Sequence, residues 1–486
     1  MKAIKRTILM FLCCALVFAA MPFSSVFAVE ECGEYSGTNV LDNRYSYYFS
    51  GSIFSYLYEV SGGYMRFQAN IVSGSYLVEY YDTGYKLLSK KLISEELPIF
   101  GGFYSNGTNY FVLSGQENIE ESAEVECYRV TKYDLDWNKL SSCGLYDCNT
   151  TIPFDAGCPR FAYDGELLIV HTSHEMYTHT DGYNHQSNYT LIVDVETMMI
   201  TGIDMAYASH SFNQFIKAEG NKYITVDHGD AYPRSIVLRV IERDGYTLKR
   251  LKLATLFEFV GGIGENYTGA AVGGFEISQS AYLTAFCAVE QNDNYQSNRT
   301  RNVYLAVTDK TSCATTLKQI TTMQEGETGA EPPQLVKIND NKFLLIWQIG
   351  LKVYYCYFDG NGNKLGKEES VNGAFMSDCQ PIAVNGKAVW YSYVNNDVTF
   401  YEISESGCNI TTVNTSHKFK VVTHDEATPE KCILKCEICG KMDEYTTRKE
   451  IKVLFGESIN SCSIKDTSFD FAPGAGMPLF VESFYY

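Results

Sequence analysis

The chain has 486 residues, of which 45% are hydrophobic and 14% aromatic, and a formal net charge of −19 at pH 7. Such a length suits roughly two or three ordinary domains, or one large repeat domain with an appendage. An acidic surface of this kind repels nucleic acid and anionic lipid, so neither is expected as a partner.

Residues 1–28 stand apart. Lys2, Lys5 and Arg6 make a basic start, Ile8 to Phe18 an apolar stretch, and Val26-Phe27-Ala28 a small-residue cleavage site, which is the pattern of a secretory signal peptide. Its removal would leave 36 basic and 58 acidic residues, a net of −22, with 14 of the 16 cysteines. No later apolar run reaches the roughly 18 residues of a membrane helix. The expected location is therefore secreted or cell-surface associated. Export permits disulfides, yet Cys127, Cys287 and Cys356 are scattered singly at strand-like positions. That scatter suits structural disulfides or buried thiols.

Residues 38–408 read as an all-β unit. Runs such as Tyr189–Asp194, Ile236–Val240, Asn302–Val307 and Val353–Phe358 alternate between apolar and polar, and turn residues bound them. A mark recurs in which a strand ends at an acidic turn and a short strand follows. It falls at Asp82, Asp134, Asp194, Asp244, Asp309 and Asp359, with a degenerate copy at Glu405. Self-similarity at about 50 residues, with four short strands per unit, predicts a β-propeller. Seven marks suggest seven blades, with six or eight as alternatives. The expected blades are 46–95, 96–145, 146–207, 208–258, 259–323, 329–372 and 373–404. The last lacks a strand, which the Tyr-rich stretch 38–50 is expected to supply. Asp359 to Asn363 resembles a calcium loop but lacks the acidic twelfth position, so it reads as a hairpin turn.

Six of the eight histidines lie between His171 and His228. In a blade, the loop leading into the first strand and the loop leaving the second share one rim. By that rule Asp155 leads into the third blade, whose second strand delivers His171, His174 and Glu175. The stretch 172–187, with His179 and His185, then reads as an exit loop. In the fourth blade His210 to Gln214 leads in, and Asp227, His228, Asp230 and Arg234 follow the second strand. Gln116, Asn118, Glu276, Asp378 and Gln380 join the same rim from other blades.

Imidazoles crowded in this way suit metal ligation, acid–base work or a polar ligand pocket. Hydrogen-bonded structural anchoring is the alternative. A divalent metal on this face would take ligands from His171, His174, His210 and His228, with Gln214 or an acid completing the shell. Asp227-His228 with a hydroxyl could form a hydrolytic triad, but no serine stands out. His174-Glu175 is not a metalloprotease helix, since His179 follows five residues later.

After Ser416 the alternation fades. A small module is expected at 416–450 and an irregular tail at 451–486. His417 with Cys432, Cys436 and Cys439 suits a closed tetrahedral zinc site, and a disulfide with one free thiol is the alternative.

Several stretches carry a resemblance: Glu96 to Phe103, Phe154 to Gly157, His171 to Tyr177, Asp181 to Gln186, His210 to Gln214 and Asp227 to Arg234. Across about residues 45–404 the chain resembles a family of secreted bacterial β-propeller-like proteins known as a sequence pattern without an assigned activity. The resemblance implies export and the propeller, and no reaction. In arrangement alone, the histidine and glutamine set is similar to that of seven-bladed oligogalacturonate lyases, where such residues hold a divalent metal. The segment from His417 to Gly440 is similar to short His/Cys repeats near the ends of secreted bacterial surface proteins. The resulting expectation is an exported propeller whose His-rich face binds a polar extracellular ligand such as a glycan. The alternatives are a metal-dependent polysaccharide lyase or hydrolase on that face, and a surface adhesion module without a small ligand.

Overall fold

The computed structural model describes residues 35–41, 53–416, 419–424, 431–436, 442–446, 468–469 and 479–480. The leader at 1–28, the stretch 42–50, His417 and Cys439 lie outside the described residues, as do most of 451–486 and the side chain of Cys432. Every regular element among the described residues is a strand. Alternating apolar and polar residues enforce this, because a strand sends successive side chains to opposite faces.

Two four-stranded sheets come first: β1 to β4 (Ser55–Val60, Gly63–Val72, Ser75–Asp82, Leu87–Ser94) and β5 to β8 (Ile99–Ser105, Tyr110–Gly115, Tyr128–Tyr133, Lys139–Leu145). An eight-stranded sheet follows, built from β9 to β16 (Ile152–Pro153, Arg160–Tyr163, Leu167–Thr178, Asn184–Asp194, Met199–Glu219, Lys222–Tyr232, Ser235–Asp244, Thr247–Glu258). Three more four-stranded sheets complete the ring. They are β17 to β20 (Ala270–Ile277, Ala281–Ala288, Asn302–Asp309, Thr315–Gln319), β21 to β24 (Gln334–Asn339, Lys342–Ile349, Lys352–Phe358, Glu369–Asn372) and β25 to β28 (Ile382–Val384, Lys387–Val394, Asp397–Ser404, Gly407–Asn414). Successive strands pair antiparallel within each sheet, except that β9 pairs with β11. The first strands also meet around an axis: β13 touches β17, β17 touches β21, β21 touches β25, and β25 touches β1. This is a β-propeller.

The expected seven separate blades need correction. Five four-stranded blades are separate, and residues 152–258 form one continuous sheet. The cause is β13, a single strand of 21 residues. Its first half pairs with β12 and its second half, from Ser209 onward, with β14. No glycine or proline lies between Ile203 and Phe215 to break it. The strand bends instead, with register shifts between Ser209 and Ser211 and between Phe212 and Phe215. His210 (φ 54°) and Asn213 (φ 46°) take the left-handed conformation there. Asparagine tolerates that region, whereas a histidine in it is uncommon.

The last blade also differs from expectation. Its fourth strand is β28, which runs to Asn414, past the expected end at 408. β28 thus fills the place that the stretch 38–50 was expected to take, and the described residues 35–41 lie along the blade through bridges from Thr38 to Val394 and from Val40 to Ser377.

Neighbouring blades pack closely, and glycine permits the closest approach. A Cβ at Gly101 would sit 2.5 Å from Phe154 Cζ, and one at Gly102 would sit 2.6 Å from Phe161 Cε2. The same pair recurs at Gly273 and Gly274 against Pro332, Pro333 and Leu335. Both pairs sit at a register shift in an innermost strand.

The ring closes on charge as well as on apolar area. Glu79 takes Arg66 at 2.6 Å and Lys90 at 2.9 Å, all three fully buried. Lys90 Nζ also donates to the Thr415 carbonyl at 2.8 Å, and Tyr85 stacks on Phe400, which ties the first blade to the last.

Cys127, Cys287 and Cys356 are buried free thiols. Beyond the ring, β29 (Phe419–His424), β30 (Lys431–Cys436) and β31 (Met442–Thr446) form a three-stranded antiparallel sheet with Leu434 and Cys436 buried. Its register sets the backbone of His424 opposite that of Cys432. No helix among the described residues is long and apolar enough to cross a membrane.

Candidate functional site

The stretch 172–187 is not a loop. It is the outer part of the β11–β12 hairpin, paired from Leu167↔Asp194 out to Thr178↔Asn184. His171, His174, His185, His210 and His228 therefore sit on strands, where the two-residue alternation decides which face each one takes, and His179 sits in the turn at the hairpin tip.

Most of them face inward. His171, His174, Gln214 and Asp227 are fully buried, and His228 nearly so. His171 Nε2 lies 3.1 Å from both Asp227 oxygens, and its Nδ1 is 2.8 Å from Thr190 Oγ1, directly across on β12. Ser211 donates to Asp227 at 2.6 Å, and Gln214 Nε2 donates to Ser211 at 2.9 Å. Gln214 Oε1 in turn accepts the Cys158 amide at 2.7 Å. Burial alone would push the Asp227 carboxyl up, but His171 and Ser211 hold it below the usual carboxylate range. This chain staples β11, β13, β14 and the lead-in to β10.

The chain does not form a hydrolytic triad. The serine donates to the aspartate and not to a histidine, and Asp227 partners His171 while its neighbour His228 faces away to Thr268 at 2.8 Å. His174 Nδ1 pairs with Thr150 Oγ1 at 2.7 Å, while its Nε2 is buried without a hydrogen-bond partner. Burial lowers both His174 and His228 to about 3, so both are neutral near pH 7. His171, His174, His210 and His228 are thus not gathered as one metal set, since each turns to a different partner.

A second group reaches the surface. His210 Nδ1 lies 3.0 Å from Asp230 Oδ1, and the His210 side chain is 33% exposed. The hydrogen bond that His210 donates to Asp230 raises the His210 pKa, and burial opposes it. Asp155 is within electrostatic reach of both Glu175 and His210. Burial and then Glu175 push its carboxyl up, against the pull of His210. Glu175 accepts from Thr151 Oγ1 at 2.7 Å, and β11 pairs here with β9, which leads into Asp155. The second oxygen of Asp230 is buried without a hydrogen-bond partner. Beside it Tyr232, opposite Ser209, stands 73% exposed.

The remaining candidates have other tasks. Arg234 donates to the carbonyls of Asp230, Val260, Glu265 and Tyr267 and so clamps the following loop. His185 is at the hairpin tip with Asp181. Asn118 donates to Tyr177 OH, Gln116 donates to the Glu126 carbonyl, and Glu276 pairs with Lys217. Asp378 and Gln380 line a narrow cleft on the ring axis with Arg160, Asn213 and Gln334. Cys436 is buried in the C-terminal sheet, while its expected partners His417 and Cys439 are outside the described residues.

Sequence reasoning missed the hydroxyl partners Thr150, Thr190, Ser211 and Thr268, and the exposed Tyr232. The signal for Thr190 was a threonine directly across a hairpin from a histidine. Thr150 and Thr268 come from distant loops and carried none.

No protein-family model and no curated protein matches the chain. Among solved structures, the Dos1 propeller aligns over 85% of this chain and 95% of its own, with 10% identity and a TM-score of 0.40. A protein from Lactobacillus plantarum aligns over 71% of this chain and 93% of its own, with 11% identity and a TM-score of 0.36. Apo prolyl oligopeptidase B from Galerina marginata aligns over 83% of this chain and 56% of its own, with 10% identity and a TM-score of 0.43. At these scores none carries an argument about activity. The strand topology by itself makes this a β-propeller protein.

Proposed function

We propose that the chain is an exported, extracellular or surface-associated propeller. On this reading it binds a polar ligand, a glycan above all, at the rim formed by Asp155, Glu175, His210 and Asp230. One observation carries the reading: a half-buried imidazole and three carboxyl groups converge where Asp230 leaves an oxygen unpartnered. Buried polar atoms are costly without a partner, and a ligand hydroxyl would supply one. The exposed ring of Tyr232 adds an apolar platform with a polar tip, which suits the mixed surface of a sugar.

The second reading is a polysaccharide lyase or hydrolase using the same rim. The Asp155 carboxyl, raised by burial and Glu175, within electrostatic reach of His210 favours it, because a carboxyl and an imidazole held together in a perturbed environment suit proton transfer. On either reading the segment 416–450 is a separate small module that zinc would stabilise, since so short a segment buries little core unaided.

A glycan-array screen on the full chain, with and without chelator, tests the assignment. Retention of an oligosaccharide that Tyr232→Ala and His210→Ala each weaken at least tenfold, or about 1.4 kcal/mol, supports binding at this rim. Cleavage of the retained glycan selects the enzyme reading. Retention that both variants leave unchanged moves the site elsewhere, and no retention at all favours adhesion.

A further inference from the structure

The tip of the β11–β12 hairpin holds a group that the rim does not use. His179, Asp181 and His185 present one nitrogen, one oxygen and one nitrogen, all within 4.8 Å of one another. His185 Nε2 is 2.8 Å from Asp181 Oδ2, and His179 Nδ1 is 3.8 Å from Asp181 Oδ1. The imidazole rings are 5.7 Å apart and nearly perpendicular. We propose that this tip is a binding site for a divalent transition cation of the zinc, nickel, copper or cobalt class, with three protein ligands and the remaining positions open to solvent.

The ligand chemistry selects the cation. Two imidazoles and one carboxylate suit borderline first-row metals, whereas magnesium and calcium prefer oxygen shells. Metal–ligand bonds of about 2.0–2.2 Å place donor atoms roughly 3 to 3.5 Å apart, so the three groups need to close by about 1 Å. Rotation of exposed side chains achieves that without moving the strands.

The tip is also held ready. Gly182, in the left-handed conformation (φ 84°), closes the turn by donating its amide to the His179 carbonyl at 2.9 Å, and the His179 amide donates to Tyr183. Asp181 Oδ1 accepts the Tyr183 amide at 3.1 Å, which orients the carboxylate between the rings. Below the tip, Glu121 from the preceding blade accepts both the amide and the hydroxyl of Thr178 at 2.6 Å, and Asn118 donates to Tyr177. Such outer support fixes ligand direction in metal sites.

Cobalt(II) titration of the full secreted chain tests the site, because nitrogen- and oxygen-bound cobalt absorbs weakly in the visible while thiolate-bound cobalt adds an intense near-ultraviolet band. The expected result is one equivalent without thiolate character, lost in the His179→Ala/His185→Ala variant with its thermal melting unchanged. Asp181→Asn should weaken it at least tenfold while leaving both imidazoles in place. Equal cobalt stoichiometry in wild type and double variant overturns the proposal. So does a wild-type dissociation constant no tighter than that of the double variant. Neither result bears on the glycan assay, so the two proposals fail separately.

Discussion

Single residues divide the histidines into two kinds. Replacing His174 by Ala leaves Thr150 Oγ1 without its imidazole partner and removes a ring that packs 4.3 Å from Tyr189. A cost of about 1–3 kcal/mol in denaturant melts is expected, as for other stranded buried partners. His210→Ala, at a partly exposed position, should cost about 1 kcal/mol or less and be felt in ligand binding instead. The same division sets the acid response. His174 and His228 fall to about 3 in the folded chain against about 6.5 unfolded. The unfolded chain therefore binds protons that the fold refuses, and the stability these two contribute above pH 6.5 is lost as pH falls toward 3. The slope is up to about 1.4 kcal/mol per pH unit for each, and melts from pH 7 to 4 should show it flattened in His228→Gln. His210 has the opposite sign. Its pKa is raised, so its contribution is complete below about 6.5 and fades as pH rises through the folded value. None of this was legible from spacing, because a histidine at a strand position reads alike whether it faces core or solvent.

Elements were more legible than residues, and for a physical reason. Alternation and acidic turns are local signals, and they located the strands at Tyr189, Ile236, Asn302 and Val353. What failed was the join between consecutive elements. Nothing local shows that β13 passes from one partner to the next, since a strand edge looks the same on either side. The Phe-Gly-Gly-Phe run at 100–103 could be seen but not explained, because its neighbours Phe154 and Phe161 are about 50 residues away along the chain. Gly101→Ala should force Phe154 aside and cost about 1–3 kcal/mol by overpacking. Because Phe154 leads into Asp155, ligand affinity should fall with it. Denaturant melts alongside binding on the same sample check both effects. A melt shift without a binding shift would show that the rim is insulated from the inter-blade contact.

At the scale of the whole molecule, closure of the ring is the vulnerable step. The Arg66–Glu79–Lys90 group is fully buried, and Lys90 reaches the chain beyond the final strand at Thr415. Glu79→Gln leaves two buried cations without their counter-charge and should cost about 3–5 kcal/mol. Loss of cooperativity in the melt, with the first and last blades becoming protease-sensitive before the others, would locate the damage at the closure. An unchanged melt would show that water enters and solvates the pair. The sequence displayed these charges only as ordinary strand residues, since their burial depends on a partner blade more than 300 residues away.

The unbroken β13 has a consequence for how the molecule breathes. Elsewhere among the described residues no continuous strand ladder joins adjacent sheets, so each can loosen at its own free energy. Between β10 and β16 a backbone ladder runs without interruption. Opening either half there exposes the amides of the other. Amide hydrogen exchange should then report residues 160–258 as one cooperative unit with a common protection factor. The rim with His210 at its bend lies on that unit, on the part of the ring least free to flex on its own.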